Sequence, residues 1–300
     1  MEADAGVQVA GRSGPLHVPV AAASPARQFV RRLARKPRAV IGGAVIAAMV
    51  VAAVFAPVVA PYDPTKQDFT NLLQGPSPAH LLGTDELGRD TLSRVIYGAR
   101  VSLQVGIIAV GLSLIVGGGL GLISGYSGGV VDTVIMRIMD GLLAFPALVL
   151  ALAITAMLGP NLRNAMIAIG VTGIPSFARL IRGQVLVVRD LEYVQAAHSV
   201  GARHGRIMVR HVLPNTIAPI IVETSVAIPA AILAEAGLSF LGLGIQPPMP
   251  SWGAMINTAQ GYMQREPWIA IAPGAAILVA VLAFNFLGDA LRDALDPRLK

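Results

Sequence analysis

The sequence predicts an all-α, polytopic membrane protein with six transmembrane helices, and three observations carry that prediction. Hydrophobic residues make up 54% of the 300-residue chain and charged residues only 13%, about half the charge of a typical soluble domain. Runs of about 20 mostly apolar residues, the length that crosses a bilayer, recur along the chain. Glycine (32) and proline (21) are abundant, and membrane helices tolerate both better than soluble helices do.

The first span is read at Ala39–Ala60, which carries no charge. The second is Val101–Ser124, rich in glycine, and the third Gly141–Gly159. A shorter fourth is Asn164–Leu180. The fifth, Thr216–Leu238, contains Pro219, Glu223, Pro229 and Glu235, and the sixth is Trp268–Leu287. Lys and Arg gather before span one (Arg27 to Arg38), between spans four and five (Arg179 to Arg210) and after span six (Arg292, Arg298, Lys300). The opposite connections carry fewer, Lys66 and Arg89 among them. Basic residues stay on the cytoplasmic side, so both termini are expected there, as an even span count requires. Arg31-Arg32 before an apolar run resembles a secretory or twin-arginine signal. The run is too long for a usual signal core, however, and five more spans follow. Arg27–Arg38 reads instead as a basic surface segment with Phe29 and Leu33 facing lipid. Residues 1–26 lack periodicity and read as a disordered tail.

Pro61–Ala79 reads as an external loop. From Asp85 to Ala99 the apolar residues Leu87, Leu92, Val95, Ile96 and Ala99 share one helical face. This predicts an amphipathic helix on the membrane surface, capped by Thr84 or Asp85. Gly125–Gly129 reads as a tight cytoplasmic turn, followed by Asp132, Arg137 and Asp140 at the interface, with Arg137 near enough to pair with Asp140. In the external connection Phe240–Pro267, glycines and prolines break any helix. Ser251 then caps a short helix reaching about Gln264, and Trp252 and Trp268 suit the headgroup layer. That helix is either a lid over a pathway or a packed loop.

The connection Glu192–Asn215 is the most informative. Its sequence reads as helix, turn, helix: Gln195-Ala196-Ala197 in the first helix, Gly201 at a sharp turn, then Ala202–Val212, ended by Pro214, with Asn215 capping span five. Arg203, Arg206 and Arg210 share a face, and the small residues allow another protein to approach closely. A nucleic-acid patch lacks interleaved aromatics for stacking. A lipid-headgroup patch fits the charge alone. A docking element for a cytoplasmic partner accounts for charge, small residues and turn together. Of His198, His204 and His211, only the last two share a helical face, two turns apart, too far for one metal ion.

At this segment the chain resembles a known family. Gln195-Ala-Ala-x-x-x-Gly201, nine residues, then His211-Val-Leu213-Pro214 is similar to the EAA loop of ABC importer permeases, whose usual pattern opens with Glu and has Ile where His211 stands. Gly83-Thr-Asp-Glu-Leu-Gly-Arg-Asp90, Gly98-Ala-Arg-Val-Ser-Leu103, Phe145-Pro146, Ser239-Phe-Leu-Gly-Leu-Gly244, Pro247-Pro-Met-Pro-Ser-Trp-Gly253 and Asp293–Leu299 resemble the C-type permeases of the dipeptide, oligopeptide and nickel group. Together these motifs run from about residue 28 to 299, and their joint order is specific. The resemblance implies a type I ABC importer transmembrane domain in a bacterial inner membrane. Its layout is a cytoplasmic tail (1–38), a first helix (39–60), an external loop with the amphipathic helix (61–97), a transmembrane domain (98–289) enclosing the coupling loop 183–215 and the external loop 240–267, and a cytoplasmic tail (290–300).

It further implies that Glu192, Gln195, Ala196, Ala197, Gly201, Arg203, Arg206, Arg210, Leu213 and Pro214 dock into ATPase partners. The implied assembly holds a sister permease, two cytoplasmic ATP-binding subunits and an extracytoplasmic binding protein that delivers dipeptides or oligopeptides, or alternatively nickel or another small solute. The residues themselves agree. Lys36, Lys66 and Lys300 are the lysines and none lies in a phosphate-binding Gly-x-x-x-x-Gly-Lys loop. No His-Glu-x-x-His and no cysteine is present. The chain is therefore expected to bind no cofactor and catalyse no reaction, with ATP and Mg on the partners. Glu223 and Glu235, about 18 Å apart along a helix, are not one site. Each is either a pathway residue meeting a substrate amine or a partner for a neighbouring polar group. Trp252 is a further candidate for pathway or gate. The rival class, an ion-coupled secondary transporter, predicts an inverted repeat, which is not visible, and leaves the loop motif unexplained.

Overall fold

The computed structural model describes residues 33–295, and its named elements are all helices. The expectations for residues 1–32 and 296–300, including the tail, the signal-like arginine pair and Phe29, lie outside the described residues. The first span is α1 (Pro37–Val54), continued after a break at Phe55 by the short α2 (Ala56–Val59). Proline in the first turn of each costs no hydrogen bond. A long loop leads to α3 (Thr91–Ser127), a helix of 37 residues. Then follow α4 (Gly129–Leu143), α5 (Ala147–Leu158) and α6 (Leu162–Arg189). The hairpin comprises α7 (Glu192–Ser199), α8 (His204–Ile207) and a π-helical turn, Met208–Val212, that runs directly into α9 (Leu213–Phe240). The short helix α10 (Trp252–Ala259) and the last span α11 (Trp268–Leu295) complete the described residues.

The framework is the α3–α6 pair, which shares the most extensive contact in the molecule. Its seam repeats every four residues. Ser113 Oγ donates to the Gly170 carbonyl at 2.7 Å. A Cβ at Gly117 or Gly121 would collide with the carbonyl of Ile174 or Ala178, and one at Gly125 would sit 2.9 Å from the Arg182 carbonyl. Small residues at this spacing let two backbones approach where lipid offers no hydrophobic drive for association. Both sides of the seam rise together in residue number, so α3 and α6 run parallel. The chain between them must then cross the bilayer once, and α4 with α5, bent by 90° at their junction, is that crossing. The six expected spans follow. At the far ends, Lys36 Nζ lies 2.7 Å from Asp293 Oδ2, which ties the start of α1 to the end of α11 on one face of the membrane.

Several expectations are corrected. Span three is not one straight helix from Gly141. Proline disfavours helical backbone at Phe145, so Pro146 ends one helix and starts the next. The amphipathic helix over Asp85–Ala99 does not form. Gly88 has φ 71°, and Asp85 turns its carboxylate onto the Leu87 and Arg89 amides at 3.0 and 2.9 Å. A compact loop results. The helix starts at Thr91 instead, capped by Asp90, which accepts from the Ser93 amide at 2.8 Å, and it is the membrane-crossing α3 itself. Arg137 does not pair with Asp140; Arg179 does, at 2.6 Å, because α6 rather than α4 presents its cations to that face. Pro214 does not end the hairpin's second helix. The wide π turn before it absorbs the ring, and the helix continues into α9. Asn215 accordingly does not cap a new helix; its Nδ2 donates to the His211 carbonyl at 2.7 Å. Residues 290–295 belong to α11 rather than to a tail. Ser251 does cap α10, accepting from the Ala254 amide at 3.2 Å, although that helix stops at Ala259.

Candidate functional site

The hairpin closes through a left-handed glycine. Gly201, at φ 79°, donates its amide to the His198 carbonyl at 2.9 Å, and the Ala202 amide reaches the Ala197 carbonyl at 3.1 Å. This pair of bonds is the Schellman closure of a helix end. The inner face is apolar: Val194, Ala197, Ile207 and Val212 pack on Ile181, Val185 and Val188 of α6, with Leu122 and Tyr126 of α3 alongside. The outer face exposes Glu192, Gln195, Ala196, Gly201, Arg203, Arg206, Arg210 and Pro214, with Val200 and Val209 among them, while Leu213 is half-buried. Burying one face anchors the hairpin on α6 and α9. Its basic, small-residue face is left free to meet a partner.

The structure brings together two histidines that the sequence reading kept apart. Tyr126 Oη, at the end of α3, lies 3.0 Å from His198 Nε2 and 3.0 Å from His204 Nδ1. The glycine turn folds the two helices back on each other, so residues without a shared helical face meet across it. His211 stays apart, and no group of three or more His, Cys, Asp or Glu among the described residues is placed to hold a metal. On the same membrane face, Arg182 grips Asp132 through Nε at 2.5 Å and Nη2 at 2.6 Å, and Arg189 donates to the Gly125 carbonyl at 2.7 Å. α4 and α3 are thereby clamped to α6.

A second feature lies within the spans. Helices α3, α5, α6 and α9 enclose a cavity of about 270 Å³. Alanine and other apolar residues form most of its wall, with Ser113, Thr172 and Ser176, and among the described residues Glu223 is the one ionisable group lining it. Glu235 is fully buried elsewhere, its Oε1 accepting from the Ser239 hydroxyl at 2.6 Å. Trp252 is 2% exposed, so it packs against protein and not against lipid headgroups. Its indole nitrogen donates to the Val95 carbonyl of α3 at 3.0 Å, over Gly98, where a Cβ would lie 2.6 Å from the ring.

Two family profiles match the chain. One, described as the binding-protein-dependent transport system inner membrane component, covers residues 117–300. The other, the N-terminal transmembrane domain of oligopeptide transport permease C, covers residues 24–76. The chain belongs to this family of ABC importer permeases. Among its relatives, a dipeptide transport system permease protein of Alkalihalophilus pseudofirmus is 47% identical over 279 residues, spanning 93% of this chain and 92% of the relative. A glutathione transport system permease protein of Pectobacterium atrosepticum is 47% identical over 278 residues, 92% of each chain. The permease also shares its fold with a chain of the inward-facing MetNI methionine ABC transporter, at TM-score 0.56 and 14% identity, over 68% of this chain and 96% of that one.

On the membrane face opposite the hairpin, the permease carries a polar network that single-residue reading missed. Asp85 Oδ2 meets Arg89 Nε at 2.6 Å and Arg94 Nε at 3.3 Å, and Arg89 Nη2 also reaches Glu86 at 2.7 Å. His80 Nδ1 lies 2.9 Å from Asp90. Burial, and next the neighbouring Asp85 charge, push the Glu86 carboxyl above its ordinary range. The signal in the sequence was the dense alternation of acid and base between residues 85 and 94. A surface helix would leave such charges in water, whereas a network buries them in pairs.

Proposed function

We propose that the permease, with a sister permease, forms the translocation pathway for dipeptides or oligopeptides delivered by an extracytoplasmic binding protein. Two cytoplasmic subunits, which carry the ATP and Mg, drive the cycle. The observation that carries the reading is the hairpin: its apolar face is built into α6 and α9, and its basic face is exposed. Closure of the ATPases would move this face. Continuity from α8 through the π turn into α9 would convert the movement into rigid-body rocking of the spans. Coupling requires that the two nucleotide states contact the hairpin differently, since equal contact shifts no equilibrium. The basic hairpin side is cytoplasmic by the charge rule. That places both chain ends in the cytosol of a bacterial cell with the permease in its inner membrane. The loops 82–90 and 240–267 face the binding protein. Trp252 and Glu235, which hold α10 and the end of α9, serve the external gate, and Glu223 faces the pathway.

The peptide substrate is supported by the relatives' dipeptide and glutathione transport. The chain itself is expected to bind no nucleotide and catalyse nothing. Co-purification followed by uptake into vesicles tests the reading. Recovery of two ATPases and a sister permease, with ATP-dependent and peptide-stimulated transport, is the expected result. Ion-coupled uptake without ATPases would overturn it.

A further inference from the structure

Glu223 lies on α9 about 15 Å along the helix from Leu213 and about 26 Å from Phe240, well inside a hydrocarbon layer about 30 Å thick. An acid at that depth is expensive and marks a functional position by default. Among the described residues it makes no ion pair and no side-chain hydrogen bond. The cations closest in sequence on the opposing α6 are already taken, Arg179 by Asp140 and Arg182 by Asp132. The Ser113 hydroxyl is likewise spent, on the Gly170 and Ala109 carbonyls, and Thr172 bonds the Ile169 carbonyl at 2.8 Å. What remains facing the cavity, among the described residues, is one carboxyl group and the Ser176 hydroxyl in a wall of alanine and other apolar side chains.

We propose that this cavity is a substrate subsite in which Glu223 holds the terminal ammonium of a peptide. The chemistry is asymmetric. A carboxylate in a low-dielectric pocket favours a cation that also donates hydrogen bonds, and a primary ammonium offers three. Among the described residues no basic side chain lines the cavity, so nothing there selects a peptide's carboxyl end. Alanine walls leave room for side chains of varied shape, so recognition rests on the amine that all unmodified peptides share. The inference deepens the peptide-import reading and rests on it.

The assembled importer in vesicles tests it, with an unmodified tripeptide, its N-acetyl form and its C-terminal amide as probes. Uptake is compared between the native complex and Glu223→Gln, which keeps the shape and removes the charge. Because the binding protein also selects peptides, a second measurement bypasses it. The chain has no cysteine, and Ala227 lines the cavity one turn beyond Glu223, so Ala227→Cys in the assembled complex is a single reporter whose thiol labelling the peptide slows on binding. With Glu223 present, the free peptide and its C-terminal amide should protect the thiol at a concentration about tenfold lower than the N-acetyl form, the worth of one hydrogen bond to a charged group. In the Glu223→Gln variant that preference should vanish, and uptake of the free peptide should fall. Equal protection by free and acetylated peptide with Glu223 present, or an unchanged preference after substitution, would overturn the proposal. So would loss of the sister permease from the Glu223→Gln complex, which would make Glu223 a partner for that subunit's cation. Should the native complex import no peptide at all, the peptide-import reading fails; should it import normally while Glu223→Gln matches it in both assays, only the subsite fails.

Discussion

Asp85 shows how one residue organises a surface. It accepts two backbone amides and binds two buried arginines, Arg89 and Arg94, each 6% exposed. Removing one partner of a buried ion group leaves the other charge uncompensated, at a cost of about 3 kcal/mol or more. Asp85→Ala should therefore lower the thermal midpoint of the purified permease by several degrees. An unchanged midpoint would mean that water already compensates the two guanidinium groups. The charges were legible in the sequence but their pairing was not. Their spacing fits a helical face, and only the left-handed Gly88 and the Asp85 turn decide for a loop.

Among the elements, the hairpin and the α3–α6 seam carry separable predictions. Gly201 has open space around its missing Cβ, so any penalty for substitution is backbone strain and not collision. A left-handed conformation costs an L-residue about 1–2 kcal/mol, and asparagine tolerates it best. Gly201→Val should insert normally and lose ATP-driven uptake, with Gly201→Asn retaining most of it; normal uptake by the valine variant would refute the role of the turn. The seam depends on collision instead. Gly121→Leu has no room beside the Ala178 backbone and should abolish accumulation of folded protein, whereas Gly119→Leu, two positions away and facing open space, should be tolerated. Equal yields of the two would show that the seam does not hold the fold. The small-residue run was visible beforehand, but which glycines face α6 follows from the helix pairing alone.

For the whole molecule, the parallel α3–α6 register fixes the path of the chain. The bent α4–α5 pair must cross the bilayer rather than re-enter from one face. In this cysteine-free chain, Ser127→Cys and Asp190→Cys should react with an impermeant thiol reagent from one side of sealed vesicles. Pro160→Cys and Leu81→Cys should react only from the other. Labelling of positions 127 and 160 from the same side would restore the re-entrant alternative and leave five crossings.

Apolar length, the missing charge and the placement of arginines were enough to read a six-span helical membrane protein and to single out residues 192–215. These are properties of the chain's transfer between water and lipid, and each is local to its own segment. Packing alone decided that span three is bent, that the hairpin flows into α9 through Pro214, that His198 and His204 meet at Tyr126, and that Glu223 faces a cavity while Glu235 is sealed away. Those outcomes depend on which helix faces which, and for helices already in lipid that choice is made by close contact between small residues and by pairing of polar groups, not by hydropathy.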